Sequence, residues 1–263
     1  MLLPFSLMVH KKNLLREFVT REIKGRFAGT AGGILWTVMS PLATILAYFF
    51  VFSLVLRINV TIEETGTDRF VLFFLTGFFP WLMFADTLGK ASAVLLNEAS
   101  LITKVVFPVE LLPMSVVTAT FIVNGIGFLL VLVYLGFSGF LSWSWAYLPV
   151  LLMILAFFSL GLAFFLSALT VFLRDTGELL GIIMMLWFFG TPVIYPVSMV
   201  PDEVSALIAV NPMALFVETF RDAILVHQVD FFSVLVLMVL SLVSYTIGFW
   251  FFKKAKPAFG DVL

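Results

Sequence analysis

No cysteine occurs in the 263 residues, which removes disulfides, thiol catalysis and thiolate metal sites together. Histidine is nearly as scarce. The two present, His10 and His227, lie more than two hundred positions apart, so neither a histidine-based metal cluster nor a nucleophile network is expected. No Asp-x-Asp pair of the kind that holds a metal in sugar transferases occurs. No Gly-x-x-x-x-Gly-Lys-Ser/Thr run is present to cradle nucleotide phosphates. Charged side chains make up 12% of the chain and net to −1, so no nucleic-acid partner is expected. The first thirty residues lack a compact apolar core with a small-residue cleavage site, so the anchors expected are the chain's own spans.

What fills the chain is hydrocarbon. Mean hydropathy is +1.15, and six long apolar stretches fall at 33–56, 70–89, 111–136, 145–172, 179–195 and 231–252. Each reaches or approaches the roughly 20 residues a helix needs to cross about 30 Å of lipid. The fold class expected is therefore an all-α integral membrane protein with six transmembrane helices. Residues 1–32 form an N-terminal interfacial segment and turn, and 33–263 form one transmembrane domain.

Cations set the orientation, because basic loops next to spans stay in the cytoplasm. With both termini inside, the inner segments hold twelve of the fifteen lysines and arginines. The outer segments hold Arg57, Arg69 and Arg221. Acidic residues collect outside, at Glu63, Glu64, Asp68, Asp202, Glu203, Glu218, Asp222 and Asp230.

Three segments between the spans carry pattern. From Pro4 to Phe27, apolar residues including Phe18 recur at helical spacing between Arg16, Arg21, Lys24 and Arg26, as in an amphipathic helix lying in the inner headgroup layer. From Lys90 to Pro113, Leu95, Leu96, Leu101, Ile102, Val105 and Val106 interleave with Asn97, Glu98, Ser100 and Lys104, which predicts a short amphipathic helix that ends before Pro108. From Thr191 to Asp230 the chain is rich in proline and keeps apolar pieces at 204–210 and 213–220 that are too short to span. Two readings stay open there: re-entrant helices beside a water-filled exit, or interfacial helices on a surface loop.

Ion-coupled carriers bury ionisable groups at mid-membrane, yet these span centres are nearly free of charge. Asp86 sits towards the inner end of the second span and Glu110 at the inner mouth of the third. Energy for transport must then come from a partner docked on the inner face.

The ordered series of motifs is more specific than any one of them. It comprises RFAGTAGGILW at 26–36 with Pro41, LITKVVFP at 101–108 with Leu112 and Pro113, and LRDTGE at 173–178. It continues with TPVIYP at 191–196, Pro201, Asn211-Pro212 and Arg221-Asp222. The series resembles the permease subunit of polysaccharide-exporting ABC transporters, the Wzm-like group of O-antigen, capsule and teichoic-acid exporters, from about residue 15 to 255.

That resemblance implies a non-catalytic half-transporter of the bacterial inner membrane that pairs with a second copy of itself. It further implies two copies of a separate cytoplasmic ATPase, which carries the ATP and Mg, and a lipid-linked glycan as cargo. It makes the 90–108 segment, with Asn97, Glu98, Leu101, Ile102 and Lys104, the main coupling element, and the turn at Arg174 and Asp175 a second contact. The interfacial helix lies beside the ATPase. Pro192, Tyr195, Pro196, Asn211, Pro212, Glu218, Arg221 and Asp222 fall in re-entrant helices at the outer exit.

Phenylalanine is abundant, at 32 residues. Phe78, Phe79, Trp81 and Trp187 are candidates to line a conduit on which sugar faces slide, although belts and helix packing account for most such rings. Two other functions compete: an ABC exporter of drugs or small lipids, and a multispan lipid-modifying enzyme. The enzyme would need its polar constellation at Glu218, Arg221, Asp222 and His227.

Overall fold

The computed structural model describes residues 11–26, 29–56 and 62–263, and every described regular element is a helix. His10, Phe27, Arg57 and the start of the expected interfacial segment lie outside the described residues. The main helices are α1 (Lys12–Arg26), α2 (Trp36–Phe49, extended by a wider turn over Phe50–Val55), α3 (Phe70–Asn97), α4 (Ala99–Lys104) and α5 (Leu111–Phe137). They continue with α6 (Leu148–Phe172), α7 (Thr176–Phe189), α8 (Asp202–Val210), α9 (Pro212–Arg221, extended over Asp222–Val226) and α10 (Phe231–Ala255). Among the described residues, five helices are long and apolar enough to cross a membrane, and the bent pair α8–α9 is a sixth if counted as one span. The chain is a multi-pass membrane protein.

α3 is the hub. Its 28 residues extend about 42 Å at 1.5 Å per residue, and side chains on all sides of it are buried, from Phe70 through Leu95. A helix apolar all round belongs inside a bundle, and α5, α6, α7 and α9 surround it. α2 is the opposite case. Its span is apolar but contributes no buried residue beyond Thr37, so its surface is left for lipid or another chain.

The pair α6–α10 shows how helices associate when lipid is as apolar as the side chains, through small residues and hydroxyls. A Cβ on Gly248 would overlap the Gly161 carbonyl oxygen. Alongside, the Ser241 hydroxyl donates to Ile154 O at 3.0 Å and Ser244 to Phe158 O at 3.0 Å. Asp230 caps α10, accepting from the amides of Phe232 and Ser233 and from the Ser233 hydroxyl. The Ser233 hydroxyl first, then those amides, hold its carboxyl below the ordinary carboxylate range.

Two expected boundaries shift. The second span does not end at Gly89: α3 runs unbroken to Asn97, because Ala91, Val94 and Leu95 are apolar at core spacing and pack against α5. What remains of the expected 90–108 helix is the six-residue α4, turned off at Glu98. The fifth expected span, 179–195, is a 14-residue helix, α7, that stops at Phe189. It covers about 21 Å, short of the hydrocarbon thickness. Gly190 and Pro192 end it, and Tyr195 lies in the irregular stretch beyond.

Candidate functional site

Three polar assemblies stand out against this apolar background. The first joins α1, α3 and α5 at the cation-rich end of the bundle. Asp86 is one turn before Lys90 on α3, and their side chains meet at 2.7 Å. Arg26, the last residue of α1, reaches Asp86 Oδ2 at 3.3 Å and donates to the Thr120 hydroxyl at 2.6 Å. Asn124 Nδ2, one turn further along α5, donates to the same Asp86 oxygen at 3.1 Å. One carboxylate thus gathers a guanidinium, an ammonium and an amide. In the sequence Arg26 and Asp86 stand apart, 60 positions from each other; the local signals of the cluster are the i,i+4 spacing of Asp86 and Lys90 and an asparagine inside an apolar span.

The second assembly is a partly exposed, charged face at the same end. Arg21 of α1 pairs with Glu98 at 3.0 Å, Phe18 packs its ring on Phe107, and Lys256 meets Glu110 at 2.7 Å. The first two contacts tie α1 to the segment around α4, and the third ties the residue after α10 to the start of α5, while much of the surface of α1 and α4 stays free. Arg16, Lys24, Asn97, Lys104, Arg174 and Asp175 are exposed, and Leu101 is half-buried. Ile102 packs partly into the neighbouring core. Val106, just after α4, is fully exposed at 105%, with Val105 half-exposed beside it.

The third assembly lies at the opposite end, where α8 and α9 meet at 89°. Asn211 forms the corner. Its Oδ1 accepts from the Met213 amide, capping α9, and from Trp187 Nε1 at 2.8 Å. Its Nδ2 donates to Gly190 O and to the Thr191 hydroxyl, both at 2.9 Å. The amide that caps α9 thereby ties the end of α7 to the bend.

Arg221 completes this knot. Its Nη1 donates to Pro192 O and Glu218, Nη2 to Val193 O at 2.7 Å, and Nε to Phe73 O at 3.2 Å. Arg221 is 2% exposed and spends its donors on backbone carbonyls and Glu218. Glu218 and Asp222 are half-buried beside it. Pro192 and Pro196 are buried; Pro212 starts α9, and the Tyr195 hydroxyl donates to Phe189 O. Of the constellation a lipid-modifying enzyme would need, Glu218 and Asp222 flank Arg221, whose donors are committed to Glu218 and backbone carbonyls, while His227 ends the α9 extension in a left-handed conformation (φ 62°) against Phe140.

The candidate conduit aromatics pack on one another. Trp81 is buried between Phe84, Trp187 and Phe188. Phe79 is buried against Phe128, and Phe78 lies between Phe74 and Tyr48. Phe79 and Trp81 are buried by packing within the chain, whereas Phe78 and Trp187 are partly exposed.

The model of the family described as ABC-2 type transporter matches residues 13–225. The O-antigen export system permease protein RfbA of Myxococcus xanthus is 31% identical over 255 residues, covering 95% of both chains. The O-antigen export system permease protein RfbA of Klebsiella pneumoniae is 28% identical over 258 residues, again covering 95% of each. The polysialic acid transport protein KpsM of Escherichia coli is 23% identical over 261 residues, covering 94% of this chain and 95% of that one.

Proposed function

Because the chain belongs to the ABC-2 type transporter family, we propose that it is the membrane-spanning permease subunit of an ATP-driven exporter of a lipid-linked polysaccharide of the O-antigen type. The observation that carries this reading is the end-to-end likeness to O-antigen export permeases, with the same share of both chains covered. ATP and Mg belong to a separate ATPase. Two copies of that subunit dock at the cation-rich end, which the positive-inside rule puts in the cytoplasm of a bacterial inner membrane, together with both termini. The exposed Val105–Val106 pair, α4 and the turn at Arg174 and Asp175 form the contact, with α1 alongside.

A second copy of this chain completes the pathway. The apolar surfaces of α2 and α7, carrying Leu46, Leu54, Ile182 and Leu186 among others, face that copy and the surrounding lipid. The bent pair α8–α9, held by Asn211 and Arg221, forms the outer rim of the passage.

Deleting the gene in its host and restoring it tests the reading. Loss of surface glycan with accumulation of lipid-linked glycan inside the cell is the expected result. Normal surface glycan, with a drug or phospholipid defect instead, would assign the chain to another cargo.

A further inference from the structure

A cavity of about 490 Å³ opens between α2, α3 and α5 at the cation-rich end, and the Arg26–Asp86–Lys90–Asn124 cluster forms its polar wall. Trp36 and Thr44 of α2 close the other side. The donors of the cluster gather on a single carboxylate. Arg26 Nη1, Lys90 Nζ and Asn124 Nδ2 all reach Asp86 Oδ2, with Lys90 Nζ also 2.7 Å from Oδ1, while Arg26 Nε is buried without any hydrogen-bond partner. A buried donor left unpaired costs about 1–3 kcal/mol, and more when charged, so an acceptor that reached Arg26 through this cavity or the adjacent one under α1 would be stabilised.

Within the lining, two cations face one anion. Glu22, a turn earlier on α1, faces the adjacent cavity under that helix with Arg21 and Glu98 and does not line this one. A guanidinium, an ammonium and an amide converging on one point suit a tetrahedral oxyanion, which accepts several charge-assisted bonds at once. The wall formed by α2 points to the source. That helix is apolar and exposed along its span, so an amphiphile can keep its chain in the bilayer while its headgroup reaches the cluster.

We propose that this cavity binds the phosphate group of a membrane lipid, with Arg26, Lys90 and Asn124 as donors and Asp86 as the internal counter-ion that holds them when no lipid is bound. The assignment deepens the export reading, since it places the charged end of a lipid-linked cargo, and rests on that reading only for which lipid is carried.

The test uses the full chain in phosphatidylcholine nanodiscs, without ATP or partner, titrated with farnesyl phosphate while tryptophan fluorescence is followed. Farnesol and inorganic phosphate are separate arms, and Trp36→Phe assigns the signal to the cavity. The expected result is a saturable change with farnesyl phosphate, none with farnesol, and inorganic phosphate weaker by roughly tenfold or more for want of a chain in the bilayer. Arg26→Gln and Lys90→Gln should each weaken binding about tenfold, as loss of one charge-assisted bond does. Asp86→Asn should strengthen it, because the competing anion is gone.

That opposite sign separates a ligand site from a structural ion pair, in which all three changes would act alike. Equal response to farnesol and farnesyl phosphate, or Asp86→Asn weakening binding with the others, overturns the proposal. Inorganic phosphate binding as tightly as the lipid would overturn its lipid part. A negative result leaves surface-glycan export untouched, so the two readings fail separately.

Discussion

Arg221 and Phe73 meet twice: the guanidinium carbon lies 3.6 Å from the centre of the Phe73 ring, and Nε donates to the Phe73 carbonyl at 3.2 Å. The approach is possible because position 77, one turn along α3, is glycine. A Cβ there would lie 2.7 Å from Arg221 Nη2. Through this one side chain α9, α3 and the 192–193 backbone become a single unit.

Arg221→Ala should therefore destabilise the whole chain by about 3–5 kcal/mol, the range for removing one member of a buried charged network. Arg221→Lys should be nearly as damaging, because a single ammonium cannot reach acceptors on two sides of a planar fork. Thermal unfolding in detergent, read by size-exclusion chromatography, checks both. A wild-type transition for Arg221→Lys would mean that charge alone suffices.

The glycine pair in α6 and α10 gives a second stability prediction. Gly248→Ala forces the helices apart at their closest approach, and overpacking of this kind costs about 1–3 kcal/mol. Gly181→Ala is the control. That glycine has no neighbour within 4 Å, so its substitution should leave the unfolding temperature unchanged or slightly higher.

The spans were legible in the sequence because lipid imposes a length and a composition, and four of the six stretches became helices with ends within a few residues of those read. α3 and α7 departed for local reasons. Lys90 looked like a boundary, but Asp86 pairs with it on the same helix face, so the charge stays inside the bundle and α3 continues. In 179–195 apolar character persists past Phe189 while Gly190 and Pro192 stop the helix, so hydropathy overran the backbone. The polar assemblies were invisible to periodicity. Arg26 and Thr120 are 94 positions apart, and Arg221 and Phe73 are 148 apart, so only tertiary packing brings them together.

Coupling should fail when the apolar face of α4 is charged. Leu101→Asp with Ile102→Asp removes an anchor of the type that costs about 2 kcal/mol or more at protein contacts. The double variant should insert at normal levels yet lose co-purification with the ATPase. Val106→Asp, at a fully exposed position, should do the same without touching the chain's own core. Unchanged co-purification of Val106→Asp would remove this patch from the docking surface.

Topology can be read with single cysteines, since the chain has none. Position 104 is exposed at the end of α4, and Arg69 precedes α3 at the other end, with its guanidinium donating to the Tyr134 hydroxyl. An impermeant thiol reagent applied to intact spheroplasts should label position 69 and spare 104. The reverse pattern would invert the orientation.

Reconstitution tests the central claim most directly. The purified chain is placed in proteoliposomes with lipid-linked glycan, alone and then with its ATPase, and ATP hydrolysis and glycan protection inside the vesicles are measured together. Neither signal should appear with the chain alone, and both should appear with the partner and ATP. Glycan movement or ATP hydrolysis by the chain without the ATPase, or hydrolysis by the assembled complex with no glycan moved, would contradict the account.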